Sequence, residues 1–452
     1  MFHVPESPTG TRIRALVEAW SFRVEGGPEL LLHRAVTYNR LVFPPMSIVA
    51  SSHPDPSIPA FNHRRTSMRT LSRFVLAATA AFALTASAVA ADLKIGLSVS
   101  LSGPNSSLGV PYANGMKAAV AMRPEIGGRK VQLIVLDDAS DPTTSGRNAR
   151  KLVEEEKVDI LMGSSGVPAT IAISQVGKES KTPMIGLSPI QLKPEDADWT
   201  ITVAQPPQLM IDAIVERMKQ NGVKTVGFIG FSDAWGDLVY NALTKAAEPA
   251  GIKVVANERY ARADQSVSGQ VLKVLAARPD AVMTGGAGTP GALPYLGLAE
   301  RGFKGGMYGQ HGLVNADFLR VAGAAANGSF VPTGPVIVAD QLPADYPTKK
   351  VTQDFRAMYQ KVVGQPSTDA FSAYSADGYL VFADAAQRAL TASKTEPGTP
   401  QFRQALRDAI FNTKEVVGTH GVYTFKPGDI YGVDKRARVV VRIENGQWKL
   451  AQ

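Results

Sequence analysis

Cysteine is absent from this chain of 452 residues. Its absence excludes disulfide bonds, thiolate metal sites, a thiol nucleophile and a lipid anchor on an N-terminal cysteine. Aromatic residues make up only 7% of the chain, and they are not interleaved with runs of basic residues. The formal net charge is +8, but nine arginines lie within positions 1–90, and the rest of the chain holds 39 basic and 35 acidic residues. The electrostatic footprint of a nucleic-acid-binding protein is therefore missing, and we expect no nucleic acid partner.

The first long apolar run follows Met68 and is typical of a secretory signal peptide. Arg69 and Arg73 precede the apolar residues 74–84, and small residues up to Ala91 follow. The run is too short and too weakly apolar for a stable membrane span, and the alternative is a buried helix. We expect residues 68–91 to be a cleaved signal peptide without a lipid anchor. Residues 1–67 would place that signal internally, so we expect an unassigned upstream extension there and the true start at Met68.

After position 91 the sequence alternates short apolar runs with amphipathic segments. Runs that begin at Leu93, Lys130, Val158 and Pro183 predict strands of a mostly parallel sheet with helices between them. A second series of the same kind begins near Gln208. With 44% hydrophobic residues the chain can bury more than one core. We therefore predict an α/β fold of two doubly wound parallel-sheet lobes.

Proline-bearing segments indicate where the chain crosses between the lobes. One is Ala204–Gln208, with two prolines, and a second runs over 331–347. Three helices then return, and a final strand pair at 422–425 and 437–443 closes the chain. We expect a three-strand hinge and a ligand cleft at the carboxyl ends of the strands. The predicted boundaries are 92–205 and 335–425 for lobe 1, and 206–334 and 426–452 for lobe 2.

The stretch VDILMGSSGVPATIAISQV, which begins at Val158, carries the clearest sign of a ligand site. An apolar strand ends at Met162, and a turn of small residues leads into a helix. The first N–H groups of a helix lack intrahelical partners and attract anions. The turn 163–167 therefore predicts a carboxylate site. The alternative is that Ser164 or Ser165 merely caps the helix.

Five segments in order resemble the leucine/isoleucine/valine-binding periplasmic proteins of ABC transporters. They are LKIGLSVSLSGPNSSLG, LDDASDP, GSSGVP, TPMIGLSP and FIGFSDAWGD. The resemblance extends from about Leu93 to Phe425. It implies a type I periplasmic binding fold that closes over a small solute and delivers it to a membrane permease. We accordingly expect a periplasmic monomer that is not an enzyme and that needs no cofactor or metal.

The resemblance also implies which residues contact the ligand. Its carboxylate is expected on the turn after Met162 and on the segment after Leu187, with one aromatic side chain from each lobe against the rest. Leu108 stands where amino-acid-binding members often have tyrosine, and His311 stands where they have a glutamate that holds the ligand ammonium. The predicted set is Leu108, Gly163, Ser164, Ser165, Gly166, Val167, Ser188, Pro189, Ile190, Trp235, His311 and Phe371.

The histidine at position 311 changes the expected ligand. A closed cleft that buries an ammonium without a carboxylate partner loses on the order of 2 to 5 kcal/mol. We therefore predict an aromatic monocarboxylate of the benzoate, cinnamate or aryl-2-oxo-acid type. Its ring stacks against Trp235 and Phe371, and His311 donates to a carbonyl or hydroxyl. The alternative ligand is a branched-chain or other aliphatic amino acid.

Each nominated side chain also has an ordinary structural interpretation. Trp235 could be a rim residue, Phe371 a core residue and His311 a hydrogen-bonded loop histidine. Asp233 is expected to cap the helix that follows it. The three aspartates Asp137, Asp138 and Asp141 lack the glycine and distal glutamate of a calcium loop, so we interpret them as turn and capping residues.

One glycine motif suggests a different class of protein. Gly286, Gly288 and Gly291 fit G-x-G-x-x-G after a strand, which raises the alternative of a secreted Rossmann-like oxidoreductase. The motif lies in mid-chain, Pro290 interrupts it, and no acidic residue stands about twenty positions further on. We therefore favour a binding protein.

Overall fold

The computed structural model describes residues 91–426 and 428–451. The upstream extension and, apart from Ala91, the signal peptide lie outside the described residues, so both stay predictions. Within the described residues, no helix combines the length and the apolar character needed to cross a bilayer.

The strands form where apolar runs are buried on both faces, as a parallel sheet between helices requires. Every residue is buried in Ile160–Gly163 and in Ala281–Gly285. The strands of the described residues are β1 (Leu93–Val99), β2 (Glu125–Ile126), β3 (Arg129–Asp137), β4 (Ile160–Gly163), β5 (Met184–Gly186), β6 (Thr200–Thr202), β7 (Thr225–Phe231), β8 (Lys253–Tyr260), β9 (Ala281–Gly285), β10 (Gly306–Tyr308), β11 (Phe330–Thr333), β12 (Val416–Val417), β13 (Val422–Tyr423), β14 (Val439–Glu444) and β15 (Gln447–Leu450).

The surface helices each bury one apolar stripe. In Lys349–Val363, for example, the buried residues are Thr352, Phe355 and Tyr359, which lie three or four positions apart. The α-helices are α1 (Ser106–Met122), α2 (Pro142–Glu154), α3 (Val167–Ser180), α4 (Pro207–Gln220), α5 (Ala234–Ala247), α6 (Ser268–Ala276), α7 (Leu293–Glu300), α8 (Ala316–Ala322), α9 (Lys349–Val363), α10 (Phe371–Ala392) and α11 (Pro400–Phe411).

Two sheets organise these elements. The first has the order β2-β3-β1-β4-β5-β6, and the second has the order β15-β14-β11-β10-β9-β7-β8. Neighbouring strands run parallel except at the edges, where β2, β14 and β15 are antiparallel. Helices flank both sheets, which confirms the predicted α/β fold of two parallel-dominated lobes.

The chain passes between the two sheets three times. After β6 it builds β7 to β11 of the second sheet. It then returns with α9 and α10, which pack against α1 beside the first sheet. It finally adds β14 and β15 to the second sheet. The loops at the carboxyl ends of both sheets therefore face a common cleft.

One predicted strand pairing is wrong. Val422–Tyr423 pairs with Val416–Val417, whereas Val439–Glu444 pairs antiparallel with Phe330–Thr333 and with Gln447–Leu450. Sequence proximity favoured a pair between the last two apolar runs. The structure instead uses β14 to cover the edge of the second sheet, where alternate residues of β14 are fully buried.

Candidate ligand-binding site

A narrow cavity lies between the two lobes. Its wall includes nine of the twelve predicted residues, together with seven others. The cavity volume is about 30 Å³, room for one or two water molecules, so the two walls stand close together. The predicted residues in the wall are Leu108, Ser165, Gly166, Val167, Ser188, Pro189, Trp235, His311 and Phe371.

Three predicted residues, Gly163, Ser164 and Ile190, lie behind the wall instead of in it. A Cβ at Gly163 would stand 2.2 Å from the carbonyl oxygen of Ser98, so this glycine allows β4 to pack against β1. The Ser164 hydroxyl donates to the buried carboxylate of Asp138. Ile190 is fully buried in the core. Gly163 and Ser164 thus shape the turn, and Ile190 packs in the core, without reaching the cavity.

The predicted carboxylate site is the start of α3. Gly166 occupies the N-cap position, and no side chain caps the helix. The capping alternative for Ser164 and Ser165 is therefore wrong. The Ser165 Oγ accepts a hydrogen bond from the Ser100 N–H at 2.9 Å, which leaves its own hydrogen for a ligand. Pro168, the second residue of α3, has no N–H. The N–H groups of Val167 and Ala169 and the Ser165 hydroxyl thus form a set of donors for an anion.

Buried Asp138 holds this turn in place, a role that the sequence analysis missed. Its carboxylate accepts from the hydroxyls of Ser100 at 2.7 Å and Ser145 at 2.8 Å, and also from Ser164. Asp141 caps α2 through the N–H of residue 144, as expected. Within the described residues, no cluster of three or more potential metal ligands occurs.

Aromatic side chains form much of the cavity wall. Phe371 meets Tyr112 edge to face at 5.5 Å between ring centroids, and Tyr374 follows one turn later on α10. Phe371 is thus both a core residue and a wall residue. Neither tyrosine was among the predicted residues, although Tyr112 lies four positions after Leu108 on one helix and Tyr374 lies three after Phe371. Helical spacing alone would have placed each pair on one face.

His311 is buried and neutral. It is 3% exposed, and neither ring nitrogen has a hydrogen-bond partner among the described residues. Burial, with a smaller effect of nearby His420, lowers the pKa of His311 to about 3. The interpretation of a hydrogen-bonded loop histidine does not fit this geometry. Trp235 meets its ring edge to face at 5.3 Å and is only 4% exposed, so it is a wall residue and not a rim residue.

Arg262 joins the lobes beside the cavity. Its Nε donates to Asp233 at 2.5 Å, and its Nη1 donates to the Asn105 side chain of the first lobe at 2.9 Å. Asp233 also caps α5 by accepting from the Trp235 N–H at 2.9 Å, as expected. Arg262 is the one charged residue of the wall, so among the described residues no acidic side chain lines the cavity.

Tyr374 connects the cavity to the segments where the chain crosses between lobes. Its ring stacks on His420 at 3.8 Å, and its hydroxyl donates to Gln205. The Gln205 Nε2 donates to the Ala437 carbonyl at 3.0 Å and lies 3.3 Å from Nδ1 of His420. Since Nε2 of His420 lies 2.8 Å from the Ala370 carbonyl, the ring donates there and accepts from Gln205. This arrangement requires a neutral imidazole, and burial lowers the pKa of His420 to about 3.

The G-x-G-x-x-G glycines serve packing. A Cβ at Gly286 would lie 2.3 Å from the Tyr260 hydroxyl, and one at Gly291 would lie 2.5 Å from the Leu313 side chain. The segment that follows β9 is a short 3₁₀ turn, Thr289–Ala292, before α7 begins. The dinucleotide-binding pattern, in which a helix begins within the glycine motif, is not formed.

A sequence profile of the family described as periplasmic binding protein matches residues 92–428. The chain therefore belongs to the periplasmic binding protein family, and it is of the leucine/isoleucine/valine-binding type.

Three known proteins illustrate what the chain is similar to. The chain is 27% identical over 273 residues to the Leu/Ile/Val-binding protein homolog 3 of Brucella melitensis, which covers 58% of this chain and 72% of that protein. An extracellular ligand-binding receptor from Rhodopseudomonas palustris is 40% identical, with a TM-score of 0.77 over 80% of this chain and 100% of that chain. The branched-chain amino acid transporter substrate binding protein LivJ from Streptococcus pneumoniae, in complex with isoleucine, is 17% identical with a TM-score of 0.66, over 79% of this chain and 98% of that chain. At that identity it shows the fold alone. These proteins are described as binding proteins or receptors, not as enzymes.

Proposed function

We propose that this protein is the substrate-binding component of an ABC importer and that it captures a small aromatic carboxylate by hinge closure. The signal peptide at 68–91 would export it to the periplasm, where it would deliver the ligand to a membrane permease as a monomer. Closure would bring lobe 1 (92–205 and 335–425) against lobe 2 (206–334 and 426–452).

The composition of the cavity wall carries this proposal. The wall offers hydrogen-bond donors at the start of α3, several aromatic side chains, and no acidic side chain among the described residues. An α-amino acid would bury its ammonium there without a carboxylate partner, at a cost on the order of 2 to 5 kcal/mol. A monocarboxylate needs no such partner.

Order-of-magnitude energies favour an aromatic body on that carboxylate. Micromolar binding requires about 8 kcal/mol net. A carboxylate gains about 1.5 to 3 kcal/mol for each charged hydrogen bond, less the costs of desolvation and association. Burying about 150 Å² of ring surface contributes roughly 4 kcal/mol, and stacking against Trp235 and Phe371 adds about 1 kcal/mol.

A ligand panel tests the proposal. Benzoate, cinnamate, phenylpyruvate, leucine and isoleucine are titrated while tryptophan fluorescence and thermal stability are followed. We expect arylcarboxylates to bind and, at a hundredfold excess over Kd, to raise the unfolding free energy by about 2.7 kcal/mol. Trp235→Phe should lose most of the fluorescence response. The matched control Trp199→Phe should keep it, because Trp199 does not line the cavity.

A branched-chain amino acid is the second candidate ligand. It is favoured by the description of the Brucella melitensis relative as a Leu/Ile/Val-binding protein homolog. Stabilisation by leucine or isoleucine, with no response to any arylcarboxylate, would establish a branched-chain amino acid as the ligand and overturn the proposal of an aromatic carboxylate.

A further inference from the structure

Two side chains of the cavity wall leave buried polar atoms without a hydrogen-bond partner among the described residues. They are Trp235, at Nε1, and His311, at both ring nitrogens. Both residues belong to the second lobe, whereas the donors for a carboxylate belong to the first. A buried polar group without a partner loses its hydrogen bonds to water and gains none in return. Unpartnered atoms in the wall of a ligand cavity therefore mark where polar atoms of the ligand belong.

The other polar side chains of the wall already have partners. The hydroxyls of Tyr112 and Ser188 donate to main-chain carbonyls at 2.7 and 2.8 Å, and the Tyr374 hydroxyl donates to the Gln205 side chain. Arg262 is held by two acceptors. Among the fully buried polar side-chain atoms of the wall, those without any partner within the described residues therefore belong to Trp235 and His311, both in the second lobe.

The chemistry at that place is specific. A neutral imidazole has one donor and one acceptor nitrogen, and the indole N–H is a donor. A group that only accepts, such as a carboxylate, a carbonyl or an ether, can accept from the indole but leaves the acceptor nitrogen of His311 without a donor. An ammonium can donate to His311 but cannot accept from the indole. A hydroxyl accepts and donates at once, so it satisfies both side chains.

We propose that the ligand carries, away from its carboxylate, a hydroxyl group that accepts from Trp235 Nε1 and donates to a ring nitrogen of His311. This inference rests on the proposed function and narrows it to hydroxyaryl carboxylates. The carboxylate end would set the class of ligand, and the hydroxyl end would select among its members.

Matched ligand series test the inference by calorimetry at pH 7.5. The first series is benzoate with its 3-hydroxy, 4-hydroxy and 4-methoxy derivatives, and the second is cinnamate with the same substituents. In at least one series we expect a hydroxylated member to bind about tenfold tighter than both its parent and its methyl ether. Equal affinities within both series would overturn the inference and leave the proposed function standing. Binding of leucine without any arylcarboxylate would overturn the proposed function itself.

Substitution of His311 separates the role of this residue from ring burial. His311→Phe keeps an aromatic ring and removes both nitrogens, so the hydroxylated ligand should lose about tenfold in affinity while its parent stays within about threefold. His311→Gln supplies a donor and an acceptor and should recover part of the preference. An unchanged preference in His311→Phe would overturn the inference. If either variant fails to fold, the ligand series on the unaltered protein decides.

Discussion

Removing the Asn105 side chain should weaken ligand binding by favouring separation of the lobes. Arg262 Nη1 donates to Asn105 Oδ1 at 2.9 Å across the cleft, while the Arg262–Asp233 pair lies wholly within the second lobe. The Asn105 side chain caps no helix, although it stands at the start of α1. Asn105→Ala therefore deletes a contact between the lobes and leaves the Arg262–Asp233 pair in place.

The size of the effect follows from the burial of the pair. The Arg262 side chain is 15% exposed and Asn105 is 5% exposed, so water screens their hydrogen bond only in part. A hydrogen bond to a charged group contributes about 1.5 to 3 kcal/mol. Because the open form regains water at both groups, we take the lower figure, about 1.5 kcal/mol. This corresponds to about a tenfold fall in the ratio of closed to open form and to a fall of up to about tenfold in apparent affinity.

Two measurements and one control test this reasoning. Small-angle X-ray scattering of the ligand-free variant should give a larger radius of gyration, and calorimetry with the tightest-binding arylcarboxylate of the panel should give a Kd higher by up to about tenfold. Asp317→Ala removes an exposed ion pair with Arg320 within one helix and should change neither quantity. Unchanged scattering and affinity in Asn105→Ala would refute a role for this bond in closure.

Two further predictions concern the segments between the lobes. Gly334→Ala would place a Cβ 1.9 Å from Nδ1 of His420, so urea denaturation should show a loss of about 1 to 3 kcal/mol. Gly269→Ala, with nothing within 4 Å of the added Cβ, should be neutral or slightly stabilising, and similar losses in both would contradict the steric argument. Burial lowers the pKa of His420 to about 3 in the folded protein, whereas in the unfolded chain the imidazole has its ordinary pKa of about 6.5. The neutral His420 therefore contributes stability above about pH 6.5, and this contribution is lost as the pH falls towards 3. The difference in unfolding free energy between the native protein and His420→Asn should therefore fall by about 2 kcal/mol from pH 7 to pH 5. A difference that stays constant over this range would show that His420 is not buried in its neutral form.

Strands and helices with a regular spacing of apolar residues were predictable, because that spacing indicates which side chains are buried. The strands that begin near Leu93, Lys130 and Val158 are examples. The strand Thr200–Thr202 was missed because three residues with two threonines give no such pattern. Pro207 was predicted in a crossover, but it begins α4, where a missing N–H costs no hydrogen bond.

The cavity was predictable only in part, for a different reason. The resemblance identified nine residues of the wall because the family positions its ligand with the same loops. Arg262 gave no signal, since its contact with Asn105 joins residues 157 positions apart in the sequence. Asp138 was assigned to a turn because nothing in the local pattern reveals three hydroxyl groups that converge on it from other segments.

The stacking of Tyr374 on His420 limits how this protein can change its ligand. A substitution at Tyr374 alters the cavity and also the contacts of Gln205 beside the crossing segments, so a change of specificity there would also affect the proposed hinge closure. Trp235 and His311 have no such ties through their polar atoms among the described residues. Among related proteins with different ligands, we therefore expect substitutions at the positions of Trp235 and His311 in the second-lobe wall. The position of Tyr374 should vary less, because its side chain also contacts residues beside the crossing segments.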